Sequence, residues 1–565
     1  MCICLLAATG ARAQDDQDDS GRIGLPYDWS HHHTVFSQPD GFDVLKAVQA
    51  DPRFWHQLYR DRFRQWAEDE PSFPVDPTGQ VDWSESLSTT ALTFTNLVTN
   101  PAKYSFNVAN PTPNCTNDYV VFTLPTEAAG SANLFAFNNL YVNNTSTGTC
   151  PGTTPKALFT YNASQKTGHL DSSPVLSLDG TKIAFIENSA SPQLHVLKWA
   201  SGNTATTFGK PWNTAVLPNC ATNGAVSPCE YSVVYSTHAA TLSSPFVDYA
   251  SDTAYVTDDA GLVAAIHPVF GTGTPAVTFS LTVSGKTTMT PPVYDSVSKN
   301  VFVADAKGFL YYIRTTATSS GTCSTGTPPC IGATTLNAAN GTQIFDAPLI
   351  DSSSGTVFVF SRSAPSTANS SVVQTTTTLS TSRVAFVGPN GSQIVHAGTF
   401  NNAYYNSPAT GLLYVCGTTA GNIPELYAIS FTGTQMNTGT AAHGPLALAT
   451  ATAACSPLTE VLNQSGSKDY VFLGVNTKCS ATIAGGCVKE FDVTSGFPTA
   501  VAGSVAETGG TTGIIIDNVS NGSSGNASQT NMYFGTLAAQ SCTEYTGGTT
   551  AAGNCLVKLT QAGLQ

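Results

Sequence analysis

Charge is scarce in this chain of 565 residues: Asp, Glu, Lys and Arg together make up 11%, less than half of the roughly 25% usual in soluble domains. Cations are the rarer sign. The 23 Lys and Arg are thinly spread among 37 Asp and Glu, for a net charge of −14. Phosphate backbones are held by clustered cations, so nucleic acid is excluded as a partner, and an anionic membrane surface is disfavoured for the same reason. No stretch after the first residues reaches the run of about 18 apolar residues that a spanning helix needs, which argues against a membrane span. Gly-x-Ser-x-Gly, His-Glu-x-x-His, a phosphate loop and Cys-x-x-Cys are all missing, so no motif announces a hydrolase, a zinc protease, a nucleotide site or a zinc site.

A strand motif recurs about every fifty residues. An apolar strand opens near a proline, turns, and is followed by a strand of aromatic and β-branched residues: Ser173-Pro174-Val175 to Ile183-Ala184-Phe185, Ser244-Pro245-Phe246 to Ala254-Tyr255-Val256, Pro291-Pro292-Val293 to Val301-Phe302-Val303, and Ala347-Pro348-Leu349 to Val357-Phe358-Val359. Pro457 opens a further unit, strand alignment adds openings at Tyr404 and Ile514, where the proline is absent, and residues 102–142 read as one more unit upstream. Such a period built from strands alone predicts a β-propeller. The fold expected is all-β and eight-bladed, with seven blades as the alternative. The last unit lacks a fourth strand, which the segment from Asp82-Trp83-Ser84 onward is placed to supply, closing the ring.

Ahead of the strands, residues 1–13 read as a secretory signal, short of its basic n-region, with small residues before Gln14. Residues 14–81 form an N-terminal arm carrying Tyr27-Asp28-Trp29-Ser30-His31-His32-His33, then one helix from Asp51 as N-cap and Pro52 to about Glu68. Phe54, Trp55, Leu58, Tyr59, Phe63 and Trp66 give that helix an aromatic packing stripe, with Arg53, Arg60, Arg62 and Arg64 between. Residues 82–565 are the propeller. Twelve cysteines follow the presumed signal, an even number that suits disulfides in an oxidising compartment. Spacing does not fix their connectivity. Sequential pairing would join Cys115 with Cys150, Cys220 with Cys229, Cys323 with Cys330, Cys416 with Cys455, Cys479 with Cys487, and Cys542 with Cys555, each within one repeat. The predicted location is secreted, either extracellular or periplasmic.

Ser177-Leu178-Asp179-Gly180-Thr181-Lys182-Ile183-Ala184-Phe185 resembles the Ser-x-Asp-Gly hairpin of TolB-type propellers. Glu425 to Gly433 and Val488 to Gly496 resemble the third strand of PQQ-type (quinoprotein) repeats. As a whole the chain resembles secreted bacterial quinoprotein-like propeller proteins with no assigned activity, a resemblance that implies a fold. A quinone-dependent dehydrogenase of that kind would carry a calcium site, a stacking tryptophan and commonly adjacent cysteines. Here no Cys-Cys occurs, and Trp29, Trp55, Trp66, Trp83, Trp199 and Trp212 all precede the later repeats; a bound quinone is therefore not expected.

Two constellations remain. Asp248, Asp295 and Asp351 each fall three residues after the proline of their unit, at the end of an innermost strand, where they either line one mouth of the channel for a cation or polar ligand or cap a repeated turn. His31 and His33 would share one face of an extended strand and so offer a metal site together with Asp28. Asp179-Gly180, Asp258-Asp259-Ala260-Gly261 and Asp305-Ala306-Lys307-Gly308 are explained by turn chemistry. The function expected is a non-enzymatic propeller that binds a protein or glycan at the cell surface or serves as an extracellular scaffold, with no cofactor unless calcium at the carboxylates. The alternatives are a secreted hydrolase or oxidoreductase using the central channel, and a self-associating surface or filament subunit joined by its arm.

Overall fold

The computed structural model describes residues 24–38, 51–58, 79–87, 99–106, 113–125, 132–143, 148–163, 169–201, 212–213, 217–220, 227–238, 241–283, 287–339, 341–389, 392–463, 468–517, 531–544 and 550–561. The presumed signal and the helix beyond residue 58 lie outside these. The fold is an all-β propeller whose described strands are hydrogen-bonded into eight sheets. The third shows the plan: Phe246–Asp248, Thr253–Thr257, Leu262–His267 and Ala276–Thr282 pair antiparallel in chain order, from the innermost strand outward.

Packing joins the sheets into a ring. Ile183, Phe185 and Leu197 of the second sheet pack with Val121 and Phe159 of the first, while Ala184, Ile186 and Val196, on the other face, pack with Val256 and Ile266 of the third. Separate clusters bridge the fifth and sixth, sixth and seventh, and seventh and eighth sheets. A further one, with Val120 and Phe122 of the first sheet against Ile515, Tyr533 and Leu556 of the eighth, closes the circle. Nearly all of these side chains are fully buried, so each sheet hides apolar residues on both faces, as the continuous apolar runs require. In the eighth sheet Cys555–Gln561 is followed outward by the early strand Gly79–Ser86, paired antiparallel from Gly79↔Gln561 to Ser86↔Cys555.

The recurrent Ser/Thr-Pro opening has a physical reason. Before five of the eight innermost strands a hydroxyl accepts a backbone N–H from a neighbouring strand or sheet: Ser173 from Asn100 (2.8 Å), Ser244 from Ser173 (2.8 Å), Thr290 from Ala304 (3.0 Å), Ser456 from Gly474 (2.8 Å) and Thr512 from Gly535 (2.9 Å). Proline then adds no donor that would need a partner at the crowded inner rim. The sixth sheet departs from the expected placing. Its innermost strand is Thr399–Phe400, and Tyr404, expected to open that unit, lies in a one-turn α-helix, Asn402–Asn406. Gly398 stands where other units have proline, which hides the opening from a proline-based alignment. That turn also means the chain has more than the single helix expected.

All six cysteine pairs are disulfides: Cys115–Cys150, Cys220–Cys229, Cys323–Cys330, Cys416–Cys455, Cys479–Cys487 and Cys542–Cys555. No described helix is long and apolar enough to cross a membrane.

Candidate functional site

The axis of the ring is filled by the N-terminal arm. Leu25–Tyr27 adds an antiparallel strand to the inner edge of the first sheet (Tyr27↔Lys103), and Thr34–Val35 adds a parallel one to the inner edge of the fifth (Thr34↔Ile350). Between them Asp28 caps a 3-10 turn, Trp29–His32, its carboxylate accepting the Ser30 N–H at 2.9 Å. Trp29 is 3% exposed; its indole N–H donates to the Pro245 carbonyl at 3.1 Å and its ring meets Phe246 edge-on. Among the described residues, the axis holds a cavity of about 20 Å³, bounded by Trp29, His32 and His33 and by residues such as Asn100, Ser244, Pro291 and Ile514. That is room for about one water.

Residues 52–58 are helical and lie over one mouth. Asp51 caps the helix by accepting the Arg53 N–H at 3.0 Å. The Gln57 amide clasps the arm, accepting from Phe36 N–H (2.9 Å) and donating to the Thr34 carbonyl (3.0 Å). Phe36, Phe54, Leu58 and Val297 pack together. Arg53, expected between the aromatic positions, is instead 1% exposed. Its guanidinium lies 4.1 Å over the Phe246 ring and donates to the Ser30 hydroxyl (2.7 Å), Asp51 (3.1 Å) and the Val247 carbonyl (3.1 Å). Each nitrogen of that cation has an acceptor and one face has an aromatic ring, which is what lets it be buried.

The three carboxylates occupy equivalent turns and serve different partners. Asp248 accepts from Ala250 N–H (3.2 Å) and the Ser251 hydroxyl, and Asp295 from Ser298 N–H (2.9 Å) and Val297 N–H (3.3 Å). Burial raises the pKa of both. Asp351 receives the arm: Ser37 donates through its N–H (3.2 Å) and hydroxyl (2.8 Å), and the Tyr404 hydroxyl adds a third bond at 3.0 Å. The series has a fourth member that proline spacing does not reveal. Asp517 follows Ile514 by the same spacing but without a proline, and it pairs with Lys103 at 2.6 Å in a buried network joining the eighth sheet to the first. Tyr141 in that network donates to Asp118 at 2.6 Å.

His31 and His33 sit in and after a 3-10 turn, so strand alternation does not govern them. His31 packs against Tyr27 and His56, at ring distances of 4.4 and 5.0 Å, and His33 against Trp29 at 5.4 Å. Burial pushes the His32 and His56 pKa values down to about 3, with nearby His33 and His31 adding to the effect on His32 and His31 to that on His56. Among the described residues no three His, Cys, Asp or Glu side chains are grouped to hold a metal ion. The turn carboxylates behave as expected: Asp258 accepts from Ala260 and Leu262 N–H (2.8 and 3.0 Å), and Asp305 from Lys307 and Phe309 N–H (both 2.9 Å).

A second buried constellation has no sequence signature. His195, fully buried in the second sheet, lies 2.5 Å through Nδ1 from Glu230 and 3.1 Å through Nε2 from Glu187, with its ring stacked on Phe185 at 5.2 Å. Burial lowers its pKa, but Glu230 and Glu187 outweigh this and raise it to about 9.

No protein-family model matches the chain, and neither does any curated protein. Among solved structures it is similar to BamB from Moraxella catarrhalis, with 10% identity over 85% of this chain and 99% of that one and a TM-score of 0.38. Sqt1 from Saccharomyces cerevisiae follows at 8% identity, 86% and 99% coverage and 0.44. A putative 6-phosphogluconolactonase from Bacteroides fragilis has 10% identity, 70% and 98% coverage and 0.38. These scores carry no argument about activity; the propeller assignment rests on the ring of sheets.

Proposed function

We propose that this chain is an exported propeller that acts by binding, as a recognition or structural protein, rather than by chemistry in its central channel. The observation that carries this reading is the arm. It runs from the inner edge of the first sheet to that of the fifth and leaves about 20 Å³ on the axis, far below the several hundred Å³ of an ordinary ligand pocket. Recognition then falls to the loops and the outer surface. Six disulfides support an oxidising destination, extracellular or periplasmic. The arm is bonded within its own ring, so this reading does not use it as a link between copies. It also takes each of the eight sheets as one blade, supported by the apolar cluster that joins the eighth sheet to the first.

The test is a thermal-shift screen of the oxidised protein against calcium, pyrroloquinoline quinone with calcium, and a glycan panel, run beside turnover assays on chromogenic esters, glycosides and alcohols. A ligand that binds only the folded state raises its melting temperature. The expected result is a shift with one glycan class and no turnover. A shift with quinone plus calcium, or hydrolysis that Asp351→Asn abolishes, overturns the reading.

A further inference from the structure

A second described opening lies off the axis, between the second and third sheets. It is a cleft of about 350 Å³, within the range of small-ligand sites. Its floor is one face of the second sheet, where antiparallel register sets Lys182 opposite Lys198 and Lys198 opposite Cys229, with Ala184, Val196 and Tyr231 forming the next row. The opposite wall is the exposed loop of Thr272 and Thr274. The Cys220–Cys229 disulfide forms part of the lining.

Like charges directly opposite on a sheet repel. The chain has more carboxylates than cations, yet neither lysine forms a salt bridge with a described residue. Lys182 donates to the Phe270 carbonyl, and burial lowers its pKa, opposed by Asp179 and Asp252 and reinforced by Lys198. Lys198 and the Tyr231 hydroxyl make no hydrogen bond among the described residues. The facing loop is already held in place: the Asp252 carboxylate accepts the N–H groups of Val269 (3.1 Å), Phe270 (2.7 Å) and Gly271 (2.8 Å). Gly273, at φ +117°, takes a conformation that L side chains rarely adopt.

We propose that this cleft binds an acidic glycan: a sugar carboxylate or sulfate between Lys182 and Lys198, its ring against Tyr231, and its hydroxyls reached by Thr272 and Thr274. This deepens the binding function proposed above and rests on it. An anion offsets the lysine repulsion, and a half-buried aromatic beside hydroxyls suits a sugar ring better than a peptide side chain.

Isothermal titration of the intact oxidised protein with oligogalacturonate and with a heparin-derived tetrasaccharide tests it, neutral cellotriose and tri-glutamate being the controls. The expected result is binding of at least one acidic saccharide, weakened by added salt and by about tenfold in Lys198→Gln, as for loss of one charged hydrogen bond. Tyr231→Leu should weaken it further, while Lys198→Arg keeps it. Lys198 is partly exposed, so its variants fold, and an unchanged melting temperature checks this. No acidic binding at low salt, equal affinity in Lys198→Gln, or tighter binding of tri-glutamate overturns the site. Cellotriose binding that is unchanged in Lys198→Gln overturns the site yet leaves the binding function standing, whereas turnover overturns the function itself.

Discussion

Lowering the pH from about 7.5 to about 5 should loosen the arm from the channel before it loosens the sheets. His32 and His56 flank Tyr27, at ring distances of 5.8 and 5.1 Å, and burial holds both near a pKa of 3. A histidine whose folded value lies below its unfolded value of about 6.5 stabilises the fold fully above 6.5, and loses that contribution as the pH falls toward 3. At pH 5 the deficit is about 1.5 units, or roughly 2 kcal/mol for each histidine. The charged and titratable groups that face them, Asp28, His31, His33 and Lys103, already enter these values. Elsewhere the sign reverses. Glu85 and Glu490, raised to about 8 chiefly by burial, take up protons more readily when folded, so acidification favours the fold through them. The whole-protein slope is therefore a sum of opposing contributions, and the informative quantity is a difference. Guanidinium unfolding at both pH values should show wild type losing roughly 2–4 kcal/mol more than a His32→Gln/His56→Gln protein. The second glutamine of that protein can still donate to the Pro26 carbonyl, which His56 meets at 3.0 Å. Hydrogen exchange at pH 5 should rise in residues 25–36 of wild type alone. Equal losses in the two proteins would refute the reasoning.

Three further outcomes are expected. Trp29→Ala should cost about 3–5 kcal/mol of unfolding free energy, because it removes a buried indole from the axis and orphans the Pro245 carbonyl; Trp29→Phe, which loses mainly the hydrogen bond, should cost less. His195 is stabilising below its unfolded pKa and loses that contribution as the pH rises through about 9, so a roughly 3 kcal/mol alkaline loss should shrink in His195→Gln when denaturation is compared near pH 6.5 and 9.5. Removing Cys416–Cys455, which closes a separation of 39 residues, should destabilise more than removing Cys323–Cys330, which closes 7; chain entropy puts the two at roughly 4 and 2 kcal/mol, measurable as the difference between the two double-alanine proteins.

The ring was legible because its signals are local. A hydroxyl and proline at an inner rim, an Asp-Gly turn and a hydrophobic run each fall within a few residues, and each cysteine found its sequential neighbour. Where the local signal was replaced, the reading slipped: Gly398 in place of proline moved the sixth opening to Tyr404, and the absence of proline before Ile514 hid Asp517. The axial site was illegible for another reason. Nothing within residues 25–36 announces that Trp29 will meet Pro245 or that Thr34 will pair with Ile350, partners more than two hundred residues away. Arg53 misled in the same way, since a cation between aromatic positions is usually solvated, and here its burial depends on a carbonyl from the third sheet.

Filling the axis changes what the architecture can do. A ring of sheets leaves a central opening whose inner edges carry unpaired backbone groups. The arm uses those groups as templates, pairing with the first and fifth sheets, and its Trp29 and histidines occupy the space a substrate would need. The polar chemistry at the axis is thereby committed inward: Asp351 to Ser37 and Tyr404, Arg53 to Ser30 and Val247, Asp346 to His396 at 2.9 Å. Lys182 and Lys198, which form no salt bridge with a described residue, lie instead at the periphery and face a preformed loop across an open cleft. The division follows from burial, since a charge taken out of water on the axis needs a partner, whereas charge at a partly open cleft keeps its capacity to meet a ligand.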